Sequence, residues 1–498
     1  MKNLLAPPSS ACLQSQEDLF RAVLRAVPVP ASRAKDLPFA VRDLSRLLTR
    51  EREALRTPYW AAPRFLAAYA HFFLPWNIHR LSWLLPELDL PLADGSRILD
   101  LGSGPLTLPL ALWCARPDLR GKRLHFLCTD TSQSPLDAGK RIFAELGLPE
   151  TWRLECRRAN LDAALDGSGF ALVTAGNVLN ELPPPRHGTE DRRIAGLIGR
   201  MIRCLAPQGR IFVVEPGGRN GGRTIALARK TALESGCAVL APCTHENPCP
   251  MLEQNRYTPD RPAAPGWCHF THPPRLAPAH LLDLSGKAKM EKDGLSLSCL
   301  LLRAPDHRPE VSGGVEDLDD LEALYLETMA EDAGYEPAQT EYGSSGFPPV
   351  PGPQPLRVIS GLIRLPDDPE AARYACGPSG LCLLRDAVRI PSGAGVEARP
   401  EPDLARDAKT GALFMRGNAP KPTAAPAPPS GNRAEPRRAP KSRPDGKPTS
   451  KPKPRKPVAQ VPRDEGKHDP RNTDRPSARK PGKPSSRSAD SPKRPRGK

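Results

Sequence analysis

The sequence contains no run approaching the ~18 uncharged apolar residues of a membrane span. Its most apolar stretch, AAPRFLAAYAHFFLPW, is broken by Arg64 and by prolines. The opening MKNLLAPPSSACLQ has one lysine and too short an apolar segment for a secretion signal. These absences predict a cytoplasmic protein with no membrane partner, whose 12 cysteines are reduced. Internal repeats are also lacking. Aromatic residues make up 5% of the chain, and residues 421–498 contain no Phe, Trp or Tyr.

That aromatic-free segment carries 23 Lys/Arg, 7 Asp/Glu and 18 of the 62 prolines. It cannot bury enough apolar surface to offset its chain entropy, so a disordered tail is expected over 418–498. It also accounts for the entire formal net charge of +16, because 49 basic and 49 acidic residues remain elsewhere. A neutral body with a concentrated basic arm suits a polyanion such as nucleic acid. The competing reading is a solubilising linker.

The 498 residues allow two or three domains. Residues 1–92 read as a helical region, with Ser15 as the cap of a helix over SQEDLFRAVLRAV. Tyr59, Trp60, Tyr69, Phe72, Phe73, Trp76 and Trp83 read as a packing face, with a pocket lid as the lesser alternative. Over 93–236 short apolar runs alternate with helical segments, which implies βαβ units and a parallel sheet. Residues 237–303 form a cysteine-rich region ending in a strand. An acidic, then Gly/Pro-rich insertion occupies 304–354, with one helix in VEDLDDLEALYLETMAEDAG. Strands return over 355–398.

The string DLGSGPLT places Gly102 and Gly104 directly after an apolar run. Glycines there let the backbone turn tightly and approach a ligand. Pro105 interrupts a dinucleotide motif, so the pattern is nearer to the S-adenosylmethionine loop of class I methyltransferases. Asp130 ends the next strand, where a carboxylate can accept both ribose hydroxyls. Asp100 can meet the methionine amino group. Asn160 and Asp162 fall where such enzymes contact the adenine edge. Asn177 follows the next strand and either contacts the cofactor or, with Glu181, caps local structure. The (D/N)PP(Y/F) motif of amino-group methylation is missing: Pro183, Pro184 and Pro185 occur with no aromatic after them. No catalytic residue is assigned.

Cys243, Cys249, Cys268 and Cys376 are spaced C-x5-C-x18-C-x107-C, with prolines beside the first two. Zinc ribbons use closer pairs, whereas iron–sulfur clusters accept more varied spacing. Cys237 and Cys382 are competing fourth ligands. His245 and His269 adjoin the set. Cys114, Cys128, Cys156, Cys204 and Cys299 lie in apolar runs and read as buried thiols.

The strings YWAAPRFLAAYAHFFLPWN, ILDLGSGPLT, NVLNELP, APCTHENPCP, WCHF and CGPSG together resemble the methyltransferase-like small-ribosomal-subunit assembly family, over roughly residues 40–390. The APCxHxxPCP and WCHF strings are the specific part. The resemblance implies an α/β fold with a class I methyltransferase (Rossmann-like) core and S-adenosylmethionine binding. It also implies a 4Fe-4S cluster on Cys243, Cys249, Cys268 and Cys376, with zinc as the alternative. The expected partner is ribosomal RNA in the immature small subunit, met by a monomer. An active rRNA methyltransferase is the competing function. The acidic insertion and basic tail depart from the family pattern.

Overall fold

In the computed structural model, which describes residues 2–49, 59–147, 149–182, 190–253, 267–305, 347–365, 368–407 and 410–417, eight strands form one sheet. They are β1 (Arg97–Leu101), β2 (Leu124–Asp130), β3 (Trp152–Arg158), β4 (Phe170–Gly176), β5 (Leu205–Pro216), β6 (Ala238–Ala241), β7 (Phe270–His272) and β8 (Leu295–Arg303). The order is β3-β2-β1-β4-β5-β8-β6, with β7 also paired to β8. Neighbours from β3 to β5 are parallel, and β8 runs antiparallel between β5 and β6. The strand order reverses between β1 and β4, which is the switch point where ligands of open α/β sheets bind. This is the class I methyltransferase, Rossmann-like core expected from the sequence.

The central strands are apolar along their length because helices cover both faces. On one face, Ile98, Phe126, Leu172 and Phe212 pack with the helices Ser10–Ala26, Thr107–Ala115 and Gln133–Leu146. On the other, Leu99, Leu101, Val173 and Val213 pack with Glu190–Cys204 and Arg219–Glu234.

Two local expectations change. Ser15 does not cap its helix. The helix starts at Ser10, and the Ser9 hydroxyl accepts from the Cys12 amide at 3.2 Å. Ser15 lies one turn inside and donates to the Ala11 carbonyl. Strand β3 had no assignment, although Trp152, Leu154 and Cys156 alternate with Arg153, Glu155 and Arg157 at the two-residue period of a strand.

A second, six-stranded sheet comprises β9 (Gln354–Val358), β10 (Ile363–Leu365), β11 (Asp368–Gly377), β12 (Gly380–Arg385), β13 (Gly395–Pro400) and β14 (Leu413–Gly417). Because β9 pairs with both β13 and β11, five strands close into a ring around Leu356, Val358, Leu384, Leu413 and Met415. Closure removes most free sheet edges. The described residues all belong to one compact unit, Met1–Thr423. None of their helices is long and apolar enough to cross a membrane. The expected acidic helix after residue 314, Pro183–Pro185 and the basic tail from 418 lie outside the described residues.

Candidate cofactor site and cysteine cavity

The loop after β1 is built on left-handed backbone. Gly102 has φ 60°, Gly104 φ 53° and Leu106 φ 59°. At Gly102 a Cβ would meet the Val178 side chain at 2.4 Å, so glycine is required for space as well as for backbone conformation. At Gly104 it would meet only the Trp60 ring, at 3.8 Å, which leaves room above the loop. The Asp130 carboxylate accepts from the Gly104 amide at 3.0 Å and from the Ser132 amide at 2.9 Å. The loop and the end of β2 are thereby locked together. Burial pushes the Asp130 carboxyl up, and these amide bonds oppose the shift.

Asp100 is buried at the end of β1. One of its oxygens accepts from the Thr174 hydroxyl at 2.7 Å. The other, Oδ2, is buried with no partner among the described residues. Burial pushes this carboxyl up to about 6, against the bonds from Thr174 and Ser103. An orphaned buried carboxylate oxygen is costly, and a cationic amino group would satisfy it.

The wall facing this loop comes from the N-terminal helical region. Tyr69–Phe73 is a π-helical turn in which the Leu74 amide bonds the Tyr69 carbonyl, five residues back. Pro75 directly after it has no amide to continue a regular ladder, and such turns recur at functional sites. The Tyr69 ring lies 4.7 Å from the Trp60 ring. Its hydroxyl bonds Thr107 and Asn77, and burial pushes the phenol up. Trp60 and Tyr69 are expected from the sequence as packing residues, with a pocket lid as the lesser alternative. Their place beside Gly104 and Thr107 also makes them pocket wall.

The other sequence candidates have local partners. Asn160 caps the one-turn helix Leu161–Ala164 by accepting from the Ala163 amide at 2.9 Å. Asp162 forms an ion pair with Arg200. Asn177 adopts φ 59°, and its amide bonds the Val214 carbonyl. Sequence reading missed Glu215, which is fully buried and accepts from the amides of Leu179 and Asn180 at 2.9 and 3.3 Å. It fixes the turn Leu179–Glu181 after β4. The signal was present as an acid in the apolar run IFVVEP.

Cys243, Cys249, Cys268 and Cys376 line one cavity of about 30 Å³, together with Arg229 and Arg357. The first three come from loops around β6 and β7, and Cys376 comes from β11, so the cavity joins the two sheets. Cys237 is buried instead under the helix Arg219–Glu234, and Cys382 inside the strand ring. The His245 Nε2 lies 3.5 Å from the Cys376 Sγ. His269 stacks on Trp267 and bonds its carbonyl. Burial pushes the thiols up, Cys249 to about 11, and the neighbouring thiols add to the shift. Arg229 acts in the opposite direction on Cys243, Cys249 and Cys268. Its Nε and the His245 Nδ1 are buried without partners among the described residues. Arg357 donates to the carbonyls of Pro242, Lys2 and Gly393. Among the described residues, no group of three or more His, Cys, Asp or Glu side chains is arranged to hold a metal ion.

Residues 90–302 match the family model described as mitochondrial small ribosomal subunit Rsm22. The match bears out the family resemblance over the span that holds ILDLGSGPLT, NVLNELP, APCTHENPCP and WCHF; YWAAPRFLAAYAHFFLPWN and CGPSG lie outside it. No curated protein matches the chain. Among solved structures, a putative sarcosine dimethylglycine methyltransferase from Galdieria sulphuraria is 14% identical, over 47% of this chain and 86% of its own, with a TM-score of 0.27. An O-methyltransferase family protein from Burkholderia thailandensis is 16% identical, over 41% and 67%, with a TM-score of 0.30. An S-adenosylmethionine-dependent O-methyltransferase from Thermotoga maritima is 12% identical, over 44% and 63%, with a TM-score of 0.25. The strand order, rather than these superpositions, carries the fold assignment.

Proposed function

We propose that this chain, which matches the Rsm22 family model over residues 90–302, is a methyltransferase-like factor of small ribosomal subunit assembly that contacts ribosomal RNA. The family match is the observation that carries the reading. S-adenosylmethionine is bound at the β1–β4 switch point. Asp100 takes the amino group, Asp130 the ribose hydroxyls, and Gly102 and Gly104 give the backbone room to approach. Asn160 and Asp162 form the rim on the adenine side, and Asn177 borders the cofactor after β4. Trp60 and Tyr69 exclude water from above.

Cys243, Cys249, Cys268 and Cys376 hold a 4Fe-4S cluster in the same reading. Four thiols from two loops and strand β11 line one cavity, beside two arginines that offset thiolate charge, and iron–sulfur clusters accept the varied sequence spacing of these cysteines better than zinc ribbons do. The cluster would tie the two sheets together, since binding energy at such a site is folding energy. The missing (D/N)PP(Y/F) motif weighs against methyl transfer as the main activity. The basic tail supplies salt-sensitive, non-specific affinity for RNA.

Anaerobic purification with iron, sulfide and zinc analysis tests the cluster. Sedimentation of the chain with immature small subunits tests the partner. Labelled-methyl transfer onto their RNA separates an assembly factor from an active methyltransferase. Stoichiometric zinc without sulfide would remove the cluster, and failure to sediment would remove the assembly role.

A further inference from the structure

One face of the first sheet is open around Arg97 at the start of β1, His125 on β2 and the outward side chains of β3, whereas Leu99 and Leu101 further along β1 are buried under helices. Crossover helices normally cover both faces of a parallel sheet. Here the link from β3 to β4 contains only the single turn Leu161–Ala164. The helices Glu190–Cys204 and Arg219–Glu234 serve the other half of that face. The uncovered half carries Arg97, His125 and Arg153 in register across three neighbouring strands, with Glu155 and Arg157 further along β3. All five are exposed, and together with Phe170 they line a cavity of about 390 Å³.

Charges on an edge strand protect it from unwanted pairing. That accounts for β3, which is at the edge, but not for His125 and Arg97 on the second and third strands. An apolar helix from a partner protein would need the aliphatic face that β4 and β5 present, and this face is polar. Its three arginines outnumber its two carboxylates, Glu155 and Asp166, and leave it cationic. Their planar guanidinium forks match phosphate oxygens. Of the lining rings, Phe126 packs into the opposite face, the Arg97 guanidinium already covers Phe170 at 4.5 Å, and His125 alone is an exposed ring. One imidazole is short of the succession of rings on which single-strand binders stack bases.

We propose that this bare sheet face is an RNA-backbone docking surface, on which Arg97, Arg153 and Arg157 engage phosphates without reading bases. The proposal rests on the ribosomal RNA reading above and gives it a place on the folded body, separate from the tail. The test uses the full chain and a mixed-sequence single-stranded RNA, with binding followed by anisotropy at stepped potassium chloride. Arg153→Glu with Arg157→Glu should weaken binding at least about tenfold and flatten the log K against log salt slope by about 1.4, two phosphate contacts' worth. Arg153→Lys with Arg157→Lys should retain the slope. Arg157 also donates to the Ala163 carbonyl at 2.7 Å, so Arg153→Glu alone is the control: it should flatten the slope by about 0.7 and leave melting temperature and S-adenosylmethionine affinity unmoved. If the glutamate variant fails to fold, Arg153→Ala with Arg157→Ala takes its place and should show the same flattening. Unchanged affinity and slope in the folded variant would overturn the surface alone. Polyglutamate binding lost in the variant while RNA binding persists would overturn it in favour of an acidic polypeptide. A wild-type chain that binds neither RNA nor small subunits would overturn the assembly reading and this surface with it.

Discussion

Asp100 and Gly102 set the terms of the cofactor site at the scale of single residues. Asp100 is buried with one satisfied oxygen and one orphan. Asp100→Asn keeps the shape and removes the charge. It should weaken S-adenosylmethionine binding by about 1.5–3 kcal/mol, the range for a bond to a charged group. Calorimetry reads this directly. The carboxyl is pushed up to about 6, so the wild-type affinity should fall as pH drops through that value and Asp100 becomes neutral. In the asparagine variant that dependence should vanish. Gly102 combines φ 60° with a 2.4 Å approach to Val178. Gly102→Ala should therefore cost about 2–4 kcal/mol, strain and overpacking together, measurable by denaturant unfolding.

At the scale of elements, β5 and β11 each deliver a side chain to a neighbour that the sequence does not bring near. Glu215, at the end of β5, holds the turn after β4 through two amides. Glu215→Ala leaves both donors unmatched and should lower stability by about 2–4 kcal/mol. Cofactor affinity should fall with it, because Asn177 and Val178 ride on that turn. A variant with wild-type stability and affinity would show the turn to be fixed by other contacts. Cys376, on β11, faces the cavity shared with Cys243, Cys249 and Cys268, whereas Cys382 on β12 points into the ring. Cys376→Ser should lose the iron of anaerobically purified protein, and Cys382→Ser should retain it. The reverse result would move the fourth ligand to Cys382.

For the whole molecule, acid should be destabilising, because folding buries neutral histidines. Burial pushes His79 down to about 4 and His272 to about 3. Below the ordinary value of 6.5 the unfolded chain binds protons that the folded chain refuses. Stability is therefore fully present above about pH 6.5 and lost as pH falls toward 4, by up to about 1.4 kcal/mol per pH unit for each histidine. Asp100 and Asp130 have raised values and oppose part of this loss. The net expectation is about 1–3 kcal/mol lost between pH 7 and 5, read by denaturant unfolding. His272→Phe keeps the stack on Trp83, whose ring centroid is 4.4 Å away. It should flatten the profile, and an unchanged slope would remove His272 from the account.

The sequence by itself determined the parallel sheet, the glycine loop, the acid at the end of β2 and the spacing of the cysteines. Each is written in contiguous residues through periodicity or turn chemistry. Local pattern did not place β3, whose alternating charges look like a solvated segment until β2 pairs with it. Nor did it show that the Asp130 carboxylate accepts from Gly104, that Glu215 reaches back to Leu179, or that Trp60 stands over the loop. These contacts join residues far apart in the chain, and only packing specifies them. The choice among Cys237, Cys376 and Cys382 was open in the spacing. The tertiary structure puts Cys376 in the cavity with the other three and Cys237 and Cys382 elsewhere, because a side chain's direction on a strand follows from which face the sheet buries. The bare arginine face is likewise a tertiary fact. Its residues are unremarkable in sequence, and it exists because the one-turn crossover is too short to cover the strands beside it.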